Sequence, residues 1–218
     1  MPASRAGGGL PRVRRVAEDG KPVVVSTGAA DVSEIDLAVR AVRETGNEQL
    51  VLLGCTSSYP ASPTESHLRK LPVMAATWDL PVGLSDHTMG LGAAIAAVAL
   101  GACVIEKHVT LQRADGGVDS DFSLEPAELA ALVRESRVAW EALGEPRLGP
   151  VAGEAESRRL RRSLYVVEDV RAGDVVGPEN VRSIRPAGGL APEDLGTVTG
   201  RRFTRDVARG TALTWDLV

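Results

Sequence analysis

The sequence predicts an α/β fold on a parallel sheet, followed by a small all-β domain. Three observations carry this. Four short β-branched runs alternate with helically spaced segments through the first two-thirds of the 218 residues, as in successive βαβ units. Aromatic residues make up only 3% of the chain, so the core must come from Val, Leu, Ile and Ala. After Gly149 the texture changes to short runs with frequent turns and no helical period.

The strand-like runs are Pro22–Val25, Leu50–Leu53, Pro81–Leu84 and Cys103–Ile105. Ser33 followed by Asp36 reads as a capping-box-like helix start. Ile35, Val39 and Val42 then recur on one face before Gly46 ends that helix. Leu91–Leu100 is apolar almost all round, as expected of a helix buried between neighbours. Pro126 opens a further helix, with Leu129, Leu132, Val133 and Leu143 at core spacing and Gly144 closing it. The polar stretch to Arg162 ends in the basic cluster Arg158–Arg162, a solvated linker or helix. In the tail, Asp169-Val-Arg-Ala-Gly173 is echoed by Asp206-Val-Ala-Arg-Gly210, which predicts two similar strand–turn–strand pieces with pseudo-twofold character. A boundary near residue 155 follows, with domains expected at 1–150 and 163–218 and a linker at 151–162.

Hydrophobic residues are 44% and charged residues 25% of the chain, a globular rather than a disordered balance. The net charge of −4 argues against nucleic acid or an anionic membrane as the main partner. The apolar run Met89–Ile105 is broken by Gly90, Gly92 and Gly101 and reads as helix, turn and strand, not a membrane span. No apolar stretch follows the arginines near Met1, so no secretory signal is visible. Cys55 and Cys103 read as two separate buried thiols in a reducing compartment, and the expected location is cytoplasmic.

Two of the three histidines stand at equivalent places. His87 follows the third strand and His108 the fourth, at the carboxyl ends where parallel α/β folds hold ligands. Two neutral imidazoles aimed at one space suit a divalent Zn, Mn, Fe or Co site completed by water or substrate. The alternative is that each imidazole caps its own strand end. Cys55-Thr56-Ser57-Ser58-Tyr59-Pro60 brings hydroxyls to the same face, for a sugar-like substrate or for backbone groups of a turn. Asp119, in the Gly-bearing acidic loop Asp115–Ser123, is placed to ligate, orient or take a proton, or belongs to a solvated turn.

The motifs SDHTMG (Ser85–Gly90), VIEKHVT (Val104–Thr110), CTSSYP (Cys55–Pro60) and STG (Ser26–Gly28) resemble the sialic acid synthase family. The tail, with RRSLYVVEDVRAGDVV, ENVRSIRP and RGTALTWDLV, resembles that family's C-terminal antifreeze-like (SAF, β-clip) domain. Within the family, VGLSDHT, GACVIEKH, ENVRSIRP and the final WDLV are most similar to pseudaminic acid synthases. The resemblance implies the C-terminal half of a TIM (β/α)8 barrel, strands five to eight, followed by the SAF domain. It also implies a transferase that condenses phosphoenolpyruvate with an N-acylated amino sugar and releases phosphate. N-acetylneuraminate and legionaminic acid synthases are the related alternatives.

By the same resemblance, His87 and His108 are metal ligands for Mn²⁺ or Mg²⁺, and Asp119 and Glu106 are catalytic carboxylates. Ser57, Tyr59 and Ser85 contact substrate. Arg185 reaches the partner's active site in a domain-swapped homodimer, where its donor fork holds the sugar's acyl group. The implied chemistry is metal-assisted attack of the enol carbon on the sugar aldehyde, then water addition at C2 and loss of phosphate.

A barrel of eight βα units takes about 250 residues, and four strands precede the β domain here. The family's early glutamate and phosphoenolpyruvate-gripping lysines have no counterpart in Lys21, Lys70 or Lys107, so Met1 is expected to fall inside the barrel. The competing expectation is a non-catalytic sugar-binding or partner-docking fragment, and an aldolase with another substrate leaves the tail unexplained. A half barrel exposes two sheet edges and an inner face. The 218-residue chain alone is therefore expected to lack synthase activity and to be poorly stable as a monomer. Size-exclusion chromatography with thermal melting checks the stability expectation, and a monodisperse monomer with a sharp cooperative melt contradicts it.

Overall fold

The structure, a computed structural model, describes residues 6–218. It divides into two compact units, one reaching to Glu145 and one running from Pro146 to Val218.

In the first unit, helix α1 (Ala6–Ala17) leads into β1 (Val23–Ser26), α2 (Val32–Arg43), β2 (Leu50–Cys55) and α3 (Lys70–Trp78). It continues through β3 (Val82–Asp86), α4 (Gly92–Ala99) and β4 (Val104–Lys107) to α5 (Pro126–Leu143). All four strands pair in parallel, in the order β1-β2-β3-β4. This is the half barrel, an α/β fold as the sequence predicts. The unit thus alternates strand and helix throughout, each helix returning the chain to start the next parallel strand.

Strand side chains alternate between faces, and the alternation assigns every position. Val23, Leu50, Leu52, Val82 and Leu84 pack with Val39 and Val42 of α2 and with Leu71, Met74 and Trp78 of α3. The intervening positions, including Cys55, Ser85 and Glu106, face the other way, into the concave side of the sheet. There Val24 is half-exposed. Among the described residues, neither the free edge of β1 nor that of β4 pairs with another strand.

Several local expectations shift. β1, β3 and β4 begin one residue later than predicted, β2 begins at Leu50 as predicted, and all four run further toward their carboxyl ends. The N-cap of α2 is Asp31, not Ser33: its carboxylate accepts the Glu34 N–H, and Glu34 accepts the Asp31 N–H in return. Ser33 instead donates to Asp31 Oδ1 at 2.6 Å, because one acidic cap with a reciprocal glutamate satisfies more backbone donors than a serine two residues later. Cys103 is exposed rather than buried. It precedes the edge strand, where no further strand covers it, and its thiol donates to Val82 O at 3.2 Å. Cys55 is buried, and both cysteines are free.

In the second unit a short helix α6 (Ala155–Arg159) precedes β5 (Ser163–Val166), which pairs antiparallel with β6 (Val181–Ile184). Leu164, Val166, Val181, Phe203 and Leu213 form its core. The sequence echo is a structural one. Val170 and Val207 bridge antiparallel. Asp169 accepts the Arg209 N–H at 2.7 Å, and Asp206 accepts the Ala172 N–H at 2.8 Å. Each repeat thus closes the turn of the other, with Gly173 and Gly210 at φ +91 and +88.

Gly83 is where β3 and β4 come closest to crowding. A methyl group there would lie 2.3 Å from Val104 O and 2.5 Å from Leu53 Cδ2. Gly83→Ala is expected to cost about 1–3 kcal/mol by overpacking, read as a lower urea midpoint. An unchanged midpoint would show that the strands have room to part.

Candidate functional site

The site is built by the two-residue strand period. The pairing register sets Cys55 beside Ser85 and Ser85 beside Glu106. Two residues further on, His87 and His108 follow on the same concave face. Their ring centres lie 5.2 Å apart, nearly edge to face. Tyr59, carried past the end of β2, lies over His87 at 4.2 Å and 6.0 Å from His108. Phe122 completes the group at 5.0 Å from His108.

Hydrogen bonds orient these groups. His87 is buried, and its Nδ1 lies 2.9 Å from Thr56 O. A carbonyl only accepts, so Nδ1 carries the proton and Nε2 presents a lone pair. His108 is half-buried, with Nδ1 3.7 Å from Asp119 Oδ2, beside it but beyond hydrogen-bond length. Ser85 donates to Glu106 Oε1 at 2.6 Å, which leaves the second carboxylate oxygen open on the concave face.

The surroundings explain how the loops hold. Gly28, just past β1, admits the CTSSYP turn: a side chain there would collide with Ser57 Oγ at 2.1 Å and Cys55 Sγ at 2.9 Å. Cys55 Sγ lies 3.9 Å from His87 Nδ1 and 4.0 Å from Ser57 Oγ. The loop bearing Asp119 and Phe122 is tied to the start of α5 through Arg113. The Arg113 guanidinium pairs with Glu128 and donates to Ser123 O at 3.1 Å, while its N–H donates to Glu125 at 2.9 Å.

Of the residues the sequence singles out, the structure therefore gathers Tyr59, His87, His108 and Asp119 closely, with Ser85 and Glu106 one rung below. Ser57 is exposed on the adjoining turn. Arg185 belongs to the second unit, exposed on the turn after β6 and without a hydrogen-bond or ion-pair partner among the described residues. The sequence reading gives no individual site role to Phe122, Gly28 or Lys70. The scarcity of aromatics was a usable signal, since two of the seven meet around the histidines.

Two imidazoles bonded to one ion in adjacent positions at about 2.1 Å place their ring centres about 5 Å apart, so the pair suits a shared divalent cation. Among the described residues no group of three or more His, Cys, Asp or Glu side chains converges on one point. Water or substrate oxygen would therefore fill the other positions.

Residues 3–147 match the model of the NeuB family. The chain belongs to the NeuB family. Residues 161–218 match the SAF domain. The chain is 38% identical over 201 residues to the pseudaminic acid synthase of Campylobacter jejuni strain 81-176, covering 92% of this chain and 59% of that protein. It is 36% identical over 212 residues to the N,N'-diacetyllegionaminic acid synthase of Legionella pneumophila, covering 95% and 60%. The chain thus spans about three-fifths of these relatives' length.

Among solved NeuB-like structures, the N-acetylneuraminic acid synthetase of Leptospira borgpetersenii, in complex with citrate, superposes with a TM-score of 0.63 at 36% identity. That match covers 68% of this chain and 52% of the other. The spore coat polysaccharide biosynthesis protein SpsE of Bacillus subtilis gives 0.58 at 31% identity, covering 96% and 64%.

Electrostatics mark two groups. Burial pushes the Tyr59 hydroxyl up from 10.0, helped by Cys55, Asp119 and Glu106. Burial lowers Lys70 from 10.5, opposed by Cys55. Lys70 lays its stem over Gly54 and donates to Cys55 O at 3.0 Å. The unfolded chain holds the Lys70 proton more tightly than the folded one, so stability from this group rises with pH from its depressed value toward 10.5. Lys70→Met is expected to remove that upward component from the stability–pH profile between neutral pH and about 10.5. Urea titrations of both proteins across that range check this, and parallel profiles contradict it.

Proposed function

We propose that this chain is the metal- and sugar-binding portion of a nonulosonic acid synthase. The enzyme joins phosphoenolpyruvate to an N-acylated amino sugar and releases phosphate, with pseudaminic acid the preferred product on its motifs. The observation that carries the reading is the imidazole pair: two rings 5.2 Å apart, with His87 held in one tautomer by Thr56 O. A pair of strand-end caps needs no such convergence. Family membership supports the substrate class, and the relatives' names span pseudaminic and diacetyllegionaminic acids at similar identity.

His87 and His108 would hold Mn²⁺ or Mg²⁺, which when bound supplies Lewis-acid polarisation of the sugar's aldehyde oxygen. The chain's own residues do the rest. Tyr59 and Phe122 wall the histidines on two sides. Ser57 and Tyr59 offer hydroxyls to the sugar. Asp119, beside His108, orients the sugar's hydroxyls. The enol carbon attacks the aldehyde carbon, forming the C–C bond and leaving a cation at C2. Glu106 takes a proton from the water that adds there, its other oxygen held by Ser85. The C–O bond to phosphate then breaks as the new C2 hydroxyl becomes the ketone. The proton it sheds and the one held by Glu106 go to the alkoxide left on the former aldehyde oxygen and to the departing phosphate. Arg185 holds the acyl group in the partner's site of a domain-swapped homodimer, and the protein works in the cytoplasm.

A second reading, a non-catalytic sugar-binding or docking module, is favoured by the unpaired edges of β1 and β4 among the described residues. One set of measurements separates the two. Calorimetric titration with Mn²⁺ is expected to show binding that weakens about tenfold or more in His87→Ala. Phosphate release from phosphoenolpyruvate and an N-acylated sugar is expected once the rest of a relative's barrel is supplied as a second chain. Unchanged Mn²⁺ affinity in His87→Ala removes the metal site. Metal binding without phosphate release in the reconstituted barrel favours the module.

A further inference from the structure

Asp86 and Lys107 form the last rung of the β3–β4 ladder, and each immediately precedes a histidine of the pair. Both lie on the helix-covered side of the sheet, with side chains 1% and 3% exposed. Lys107 Nζ donates to Asp86 Oδ2 at 2.7 Å and to Thr88 O at 2.7 Å. Asp86 Oδ1 accepts the Thr88 N–H at 2.9 Å. One ammonium therefore grips the chain on both sides of His87, while its own backbone leads directly into His108.

Stability alone is a poor account of this arrangement. Taking two charges out of water is costly, and apolar replacements of buried pairs are often neutral or better. Position is the better account. The rung closes the carboxyl end of the β3–β4 ladder, where pairing stops one residue before each histidine. A slip of one residue would turn His108 from the concave face to the helix-covered one. We propose that Asp86 and Lys107 are positioning residues that set the spacing and direction of His87 and His108 for a shared cation. The proposal rests on the metal-site reading above.

The test uses Co²⁺ alone, followed by visible absorption, alongside urea unfolding of the metal-free proteins. Lys107→Met is expected to be less stable, because Asp86 is left buried without its counter-ion. Asp86→Asn/Lys107→Met regains most of that stability: the introduced amide oxygen still accepts the Thr88 N–H, and methionine keeps the stem's volume. The double variant is nevertheless expected to bind Co²⁺ about tenfold or more weakly, with shifted ligand-field bands. Lys107→Gln keeps an amide donor on a shorter, uncharged side chain, which weakens the grip on Asp86 and Thr88, and repeats the readout in a milder form. Wild-type affinity and spectrum in both variants would overturn the proposal while leaving the metal site intact. Equal Co²⁺ binding by the wild-type protein and His87→Ala would overturn the metal reading and this inference together.

Discussion

The parallel register across β2, β3 and β4 is the constraint on which the rest of the site depends. It sets Cys55, Ser85 and Glu106 side by side, and the histidines inherit their common level from that rung. Side chains set directly on the end of a paired ladder are held more precisely than those far out on loops. Gly83 belongs to the same constraint. With no side chain, it lets Leu53 cross the concave face and β4 approach at full pairing distance.

The loops add what the ladder lacks. The turn after β2 carries Tyr59 over His87, and the loop after β4 brings Asp119 and Phe122 beside His108. Each is anchored at its base: Gly28 makes space for the first, and Arg113 clamps the second to the start of α5. The charged partners of Arg113, Glu125 and Glu128, also serve the helix start, since Glu128 accepts the Glu125 N–H at 2.8 Å. Capping a helix and fixing a functional loop are here done by the same side chains.

What was legible in the sequence was what local chemistry decides. Helix α5 was read to its ends because Pro126 and Gly144 are conformational signals in themselves. The strand-end histidines were legible because chain direction in a parallel sheet makes carboxyl ends equivalent. The errors lay where a neighbour distant in sequence decides. Cys103 was misplaced because burial beside an edge strand depends on what stands next to it. Ser33 is not the cap because the reciprocal bonds of Asp31 and Glu34 decide the helix start, and those are a matter of geometry. Phe122 and the Asp86–Lys107 pair become meaningful only when β3 and β4 are laid together. Arg185 was singled out by resemblance alone, and nothing in its own surroundings marks it.

The exchanged turns of the second unit have a consequence for how that unit arises. Asp169 closes the turn that begins at Asp206, and Asp206 closes the one that begins at Asp169. Neither repeat can satisfy its own backbone donor, so neither is a folding unit by itself. The two order together, each turn closed by the other repeat. Insertions between the repeats lengthen the loop each must close before either is rewarded. Loss of either aspartate therefore leaves a backbone donor of the other repeat without its partner.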